Sequence, residues 1–163
     1  MQIVDFEYRK ELIAGKPSLA YCFQCATCSG GCPVALKTGG KYNPRKIIQM
    51  SLLGLGERLV EDPTIWLCST CQKCVEYCPQ RVDLTEIFTE IKNRAVRAGH
   101  RPDSFVTQGQ AILSSGMAIP LSPAILRRRK QLNLPEFKPA GEGELKVLFD
   151  QLKLAEKMGL KEG

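Results

Sequence analysis

One cysteine pattern, present twice, limits what this chain can fold into. Cys22, Cys25, Cys28 and Cys32 form a C-x2-C-x2-C-x3-C run followed by Pro33, and Cys68, Cys71, Cys74 and Cys78 repeat it before Pro79. These eight are all the cysteines in the chain. Three thiolates in one tight loop can hold three corners of an iron–sulfur cube, while the fourth, set one residue farther off and followed by proline, points elsewhere. Structural zinc takes two well-separated C-x2-C pairs and has no use for the third cysteine or the C-P ending. A disulfide framework would need an export signal and an oxidising compartment. The pattern therefore reads as two [4Fe-4S] clusters. Metal–thiolate bonds then staple loops that burial alone would hold poorly, so the cluster-free chain is expected to be largely unfolded.

The run is the one found in two-cluster ferredoxins, in which the fourth cysteine ligates the other cluster. That likeness assigns Cys22, Cys25, Cys28 and Cys78 to the first cluster, and Cys68, Cys71, Cys74 and Cys32 to the second. Gly30 and Gly31 precede Cys32, where a backbone without Cβ can approach sulfur and aim amides at it. The second loop has Val75, Glu76 and Tyr77 there instead. The two clusters are accordingly expected to differ in potential, with the Gly30–Gly31 side higher.

The formal charge of +6 invites a nucleic-acid reading until the clusters are counted. Eight thiolates and two oxidised cores bring the loaded protein to about +2, too little to argue for DNA or RNA. The first fourteen residues mix Asp5, Glu7, Arg9, Lys10 and Glu11 with apolar ones, unlike a signal peptide. The longest uncharged stretch, Ser104 to Leu126, is broken by Gly109, Gly116, Pro120 and Pro123 and does not read as a membrane span. A soluble, cytoplasmic protein is expected, which suits oxygen-sensitive clusters.

Helical periodicity accounts for most of the rest. Ile3 to Ile13 reads as a short amphipathic helix, carrying Val4, Phe6, Tyr8 and Leu12, that packs on the cluster domain. Thirty-five residues separate Cys32 from Cys68. Within them Asn43 caps a helix that opens with Pro44, carries Ile47, Ile48, Leu52 and Leu53, and stops at Gly54 and Gly56. Trp66 reads as a packing residue beside a cluster. Asp83 caps the longest helix, with Leu84, Ile87, Phe88, Ile91 and Ala95 on one face, ended by Gly99. His100, the lone histidine, is not needed as a ligand and reads as an exposed helix-end residue.

The chain thus divides into a cluster domain over residues 1–101 and a helical extension over 102–163. The extension is expected to be helical over Phe105 to Ser115, and over Pro123 to Leu132 behind a Ser122 cap. The basic run Arg127 to Lys130 reads first as a solvated face, then as a dock for an acidic partner, and last as a nucleic-acid contact. A Pro- and Gly-rich linker at about 134–143 leads to an amphipathic helix over Glu144 to Met158, which either folds back on the domain or, as the favoured reading, docks on a partner.

The doubled motif on a mainly α background resembles the α-helical ferredoxin superfamily. More narrowly, Tyr21 to Pro33, the Asn43-Pro44-Arg45 helix start and Trp66-Leu67-Cys68-Ser69-Thr70-Cys71 resemble the HdrC iron–sulfur subunit of heterodisulfide reductase and its relatives. The motifs cover Tyr21 to Gly99. The resemblance implies two cubane clusters, a cytoplasmic multi-subunit complex, and a wire from a flavin-containing subunit to a catalytic subunit that cleaves a disulfide between thiol cofactors. The same fold carries the clusters of succinate dehydrogenase and fumarate reductase iron–sulfur subunits, but those add a plant-type ferredoxin domain and commonly lose one cysteine of the second set. The adjacent Cys-Cys pairs of the catalytic subunit do not occur here, and no acid–base or nucleophile constellation is seen, so no catalytic residue is assigned. A standalone two-cluster carrier and a cluster-gated nucleic-acid regulator are the competing readings.

Overall fold

Regular structure in the computed structural model, which describes residues 4–119, 121–136 and 142–158, is helical, with no strand among those residues. The chain falls into two compact units, residues 1–100 and 101–163.

In the first unit, the longer helices that carry the core start where a side chain satisfies free backbone amides. Helix α1 spans Phe6–Gly15, and the Asp5 carboxylate accepts from the Tyr8 amide at 2.9 Å. Ile3 lies outside the described residues. The packing expected of this helix is weaker than its pattern suggests: Leu12 is buried, but Val4 and Phe6 are exposed. A 3-10 turn over Pro17–Tyr21 leads into the first cysteine loop, which holds α2, Thr27–Gly30. Then follow α3, Pro33–Lys37, and α4, Pro44–Leu52, with the Asn43 side chain capping α4 as anticipated. Ile47 and Ile48 are buried, while Leu53 is exposed.

Gly54 ends this stretch with a φ of +71°, a left-handed turn in which any Cβ would press on the Asp5 backbone. The Asp5 amide donates to the Gly54 carbonyl at 2.8 Å, tying α1 to the end of α4. Gly56, expected as part of that stop, instead begins helix α5, Gly56–Glu61. A second 3-10 turn, Pro63–Leu67, enters the second cysteine loop, which holds α6, Lys73–Glu76. Turn, loop and short helix thus repeat in the same order around both cysteine runs.

Helix α7, Leu84–Arg97, closes the unit, and the Asp83 carboxylate caps the Glu86 amide. All five of its expected core residues, Leu84, Ile87, Phe88, Ile91 and Ala95, are buried. Its other faces reach across the unit. Arg94 pairs with Glu90 at 2.9 Å and Glu11 at 3.3 Å, and lies over the Tyr8 ring. Burial is the main cause pushing the Tyr8 phenol up to about 12. Lys92 donates to the Cys68 carbonyl at 3.3 Å and sits over the Trp66 ring. His100 is exposed.

In the second unit α8 spans Asp103–Ser115, α9 Pro123–Gln131, α10 Glu142–Gln151 and α11 Leu154–Lys157. Ser122 caps α9 through the Ile125 amide, and the basic residues Arg127, Arg128 and Lys130 on it are exposed. The single helix expected over Glu144 to Met158 is broken where Lys153 takes a φ of +49°, a left-handed turn that an α-helix cannot contain. Of the linker expected at about 134–143, residues 137–141 lie outside the described residues, as do Pro120 and Gly159.

Replacing Ile91, fully buried, by alanine is expected to cost about 2–5 kcal/mol of stability through lost contacts and a residual cavity. Leu53→Ala, on an exposed side chain, is expected to stay within about 0.5 kcal/mol. Denaturant titration of the cluster-loaded protein measures both. Equal losses at the two positions would show that α7 is not the core helix described.

Candidate metal centres

Both cysteine loops bend the backbone in the same unusual way. Gln24 and Ala26 in the first loop, and Thr70 and Gln72 in the second, have φ between +52° and +69°. Non-glycine residues rarely adopt this region, and such strain persists only where the surroundings over-determine it. The bends coil each loop so that its first three cysteines line one hollow. They also start α2 and α6, two short helices that pack on each other between the loops.

A hollow is lined by Cys22, Cys25, Cys28 and, from the other loop, Cys78. A second is lined by Cys68, Cys71, Cys74 and, again from the other loop, Cys32. All eight cysteines therefore fall into two groups of four, each made of three from one run and the last of the other. The C-P endings explain the fourth position. Pro33 opens α3 with Cys32 as its cap, and the Cys32 sulfur accepts from the Ala35 amide at 3.5 Å. The Cys78 sulfur likewise accepts from the Val82 amide at 3.3 Å.

The donor set suits an iron–sulfur cube. In each cavity four thiols ring a hollow, and among the described residues no three Cys, His, Asp or Glu side chains converge closely enough to hold a single metal ion. Cys25 and Cys71 are exposed, Cys32 is buried and the rest lie between, so each site is walled on one side and open on the other. Burial pushes the Cys74 thiol up to about 11 and the Cys28 thiol upward as well. Cys25 moves the other way, lowered by its contact with the Thr27 hydroxyl at 3.3 Å. Half-buried thiolates need compensating positive charge, which the iron of a cluster supplies.

The role expected of the glycine pair is different in the structure. The Gly30 and Gly31 amides donate to the Ala26 and Thr27 carbonyls at 2.9 and 3.0 Å, within the turn of α2. They are not aimed at sulfur, which removes the basis for ranking the Gly30–Gly31 side higher in potential. The reason for glycine at 31 is steric: a Cβ there would run into the Tyr77 ring of the other loop. Trp66, by contrast, packs on the core at the entry to the second loop, as expected of it.

Sequence reasoning missed how the first loop is tied to α4. The Ser29 hydroxyl donates to Asn43 Oδ1 at 2.7 Å and accepts from the Arg45 amide at 2.9 Å. Tyr42 and Arg45, on either side of that junction, line the two cavities, one each. Neither sits at a spacing that marks it in sequence.

Removing the clusters by anaerobic chelation is expected to abolish the cooperative thermal transition of residues 1–100 and reduce the far-UV helical signal, because the bent loops lose what holds them. Calorimetry and circular dichroism before and after chelation measure this. An unchanged transition would mean that the loops are self-supporting.

Residues 18–82 match the family described as a 4Fe-4S dicluster domain. The chain is 35% identical over 137 residues to the HdrC subunit of the H(2):CoB-CoM heterodisulfide,ferredoxin reductase of Methanothermobacter marburgensis, spanning 83% of this chain and 73% of that one. It is 35% identical over 158 residues to an HdrC iron-sulfur subunit of the CoB--CoM heterodisulfide reductase of Methanocaldococcus jannaschii, spanning 89% and 83%. To the HdrC subunit of the ferredoxin:CoB-CoM heterodisulfide reductase of Methanosarcina mazei it is 33% identical over 156 residues, spanning 92% and 95%. With eight cysteines in two groups of four and relatives matched over most of their length, the chain belongs to the HdrC family of heterodisulfide reductase subunits, as an iron–sulfur electron-transfer subunit that carries two [4Fe-4S] clusters.

Proposed function

We propose that this chain relays electrons between a flavin-containing subunit and a disulfide-reducing catalytic subunit of a heterodisulfide reductase-type complex in the cytoplasm. The ligands of the two clusters are Cys22, Cys25, Cys28 and Cys78 for one, and Cys68, Cys71, Cys74 and Cys32 for the other. The observation that carries the reading is the pair of four-cysteine cavities, each with one exposed cysteine, Cys25 or Cys71, at its rim. When bound, each cluster supplies a site for one electron at a time. The chain's own residues do the rest. The packed helices α2 and α6 keep the cavities side by side, and the cysteines exchanged between loops hold that spacing against loop motion.

Exposed side chains beside the loops suit partner contact rather than open solvent. Tyr21 precedes the first loop and Phe23 lies within it, 61% and 72% exposed, and Leu36 follows it at 70%. In the extension Val147, Leu148 and Leu152 are exposed on α10 and just after it. Apolar groups of this kind, grouped on short elements, are what a protein interface covers. The extension is proposed to dock on one of the partner subunits through them. No helix among the described residues is long and apolar enough to cross a membrane.

Reconstitution under anaerobic conditions tests the relay. Mixed with both partner subunits, the chain is expected to form a complex in which electrons from the reduced flavin reach the catalytic subunit. Omitting the chain is expected to drop that transfer to background. If the isolated chain instead serves several unrelated acceptors and joins neither partner, it is a free carrier. Leu148→Asp together with Leu152→Asp is expected to weaken co-purification with a partner while leaving the iron content unchanged. Unaltered co-purification would remove the docking role of the extension.

A further inference from the structure

Each of the two cavities has, in its wall, one buried side-chain donor that meets no acceptor oxygen of the protein. The Tyr42 hydroxyl lines the cavity of Cys32, Cys68, Cys71 and Cys74, and Tyr42 is only 1% exposed. Arg45 lines the cavity of Cys22, Cys25, Cys28 and Cys78, and its Nε is buried without a partner. A buried polar group left unmatched is costly and calls for an explanation. Both lie at the start of α4, three residues apart, on opposite sides of Pro44.

The surroundings fix the Tyr42 ring and the Arg45 backbone where they are. The Tyr42 ring meets Phe88 edge-on at 6.4 Å, and the Tyr42 amide donates to the Thr38 hydroxyl at 3.3 Å. Asn43 and Pro44 form the turn between the two, and Ser29 pins it through Asn43 Oδ1 and the Arg45 amide. The first cysteine loop therefore sets where both donors sit. No acceptor oxygen meets either donor, and the cysteine sulfurs, with those of a bound cluster, line the same two cavities; Gln24, whose Oε1 is also unpartnered, lines the Arg45 cavity beside them.

We propose that Tyr42 and Arg45 set the potentials of the two clusters separately, Tyr42 by donating its hydroxyl to sulfur in the Cys32 cavity and Arg45 by turning Nε–H and its charge on sulfur in the Cys78 cavity. Reduction adds an electron to a group already negative, so a donor or a cation stabilises the reduced form more than the oxidised form and raises the potential. Both residues act as positioning and tuning groups, not as ligands. One short turn thereby gives the fold an independent control at each end of the wire.

The inference rests on the proposed placement of one cluster in each cavity, and the two can fail separately. Iron and sulfide content and the number of reduced-cluster EPR signals report the placement, while midpoints report the tuning. The experiment is an anaerobic EPR-monitored redox titration of the full, cluster-loaded chain and of its Tyr42→Phe and Arg45→Met variants. Tyr42→Phe is expected to lower one midpoint by up to about tenfold in the reduction equilibrium, about 59 mV for one electron, and to leave the other in place. Arg45→Met is expected to lower the other midpoint. Should Arg45→Met fail to assemble, Arg45→Lys, which keeps a charge and loses Nε–H, is expected to lower that same midpoint by less. Midpoints unmoved in assembled variants, moved upward, or both substitutions acting on one midpoint would overturn the proposal.

Discussion

Eight cysteines, most of them partly buried, in loops that bend against their own preference are the constraint on which the rest of this structure depends. Burial favours the protonated form of Cys28 and Cys74, and Gln24, Ala26, Thr70 and Gln72 would not stay at positive φ without something to hold them. Iron meets both needs, since it takes the thiolate form and fixes the loops around it. The small core of the first unit follows from this. Its buried residues need only lock helices around two cages, and the cages finish the fold.

The helices are arranged to serve the loops. Helix α7 contributes a continuous buried stripe, and it reaches the second loop through Lys92 on the Cys68 carbonyl and α1 through Arg94 on Glu11. Helix α4 is tied to the first loop by Ser29, and α2 meets α6 where the loops adjoin. The Gly31–Tyr77 contact shows how close that approach is, since a Cβ at 31 would displace the Tyr77 ring. The physical route from sequence to function is therefore short. The two C-P endings turn the fourth cysteine of each run away from its own loop, and the packing of α2 on α6 puts that cysteine at the neighbouring cavity.

Much of this was legible in the sequence because it rests on spacing. The eight cysteines, the Asn43–Pro44 start of α4, the Asp83 cap and the buried face of α7 all follow from local chemistry that neighbouring residues cannot override. What was misread rests on long-range contact. The pairing of Gly31 with Tyr77 joins residues from different loops, so glycine looked like a device for reaching sulfur. The left-handed turn at Lys153 lies inside an unbroken helical pattern and has no turn residue to announce it. Helix α5 starts at Gly56, a residue that ordinarily argues for an end. Tyr42 and Arg45 were missed for the same reason: their importance comes from which hollow they line, and no periodicity encodes that.

The proposed exchange of the fourth cysteine between loops is the claim that everything else leans on, and single-cysteine variants compared by EPR test it directly. Cys78→Ala is expected to lose the same cluster signal as Cys25→Ala, and Cys32→Ala the same as Cys71→Ala. If Cys78→Ala instead matches Cys71→Ala, each run holds its own cluster and the account is wrong.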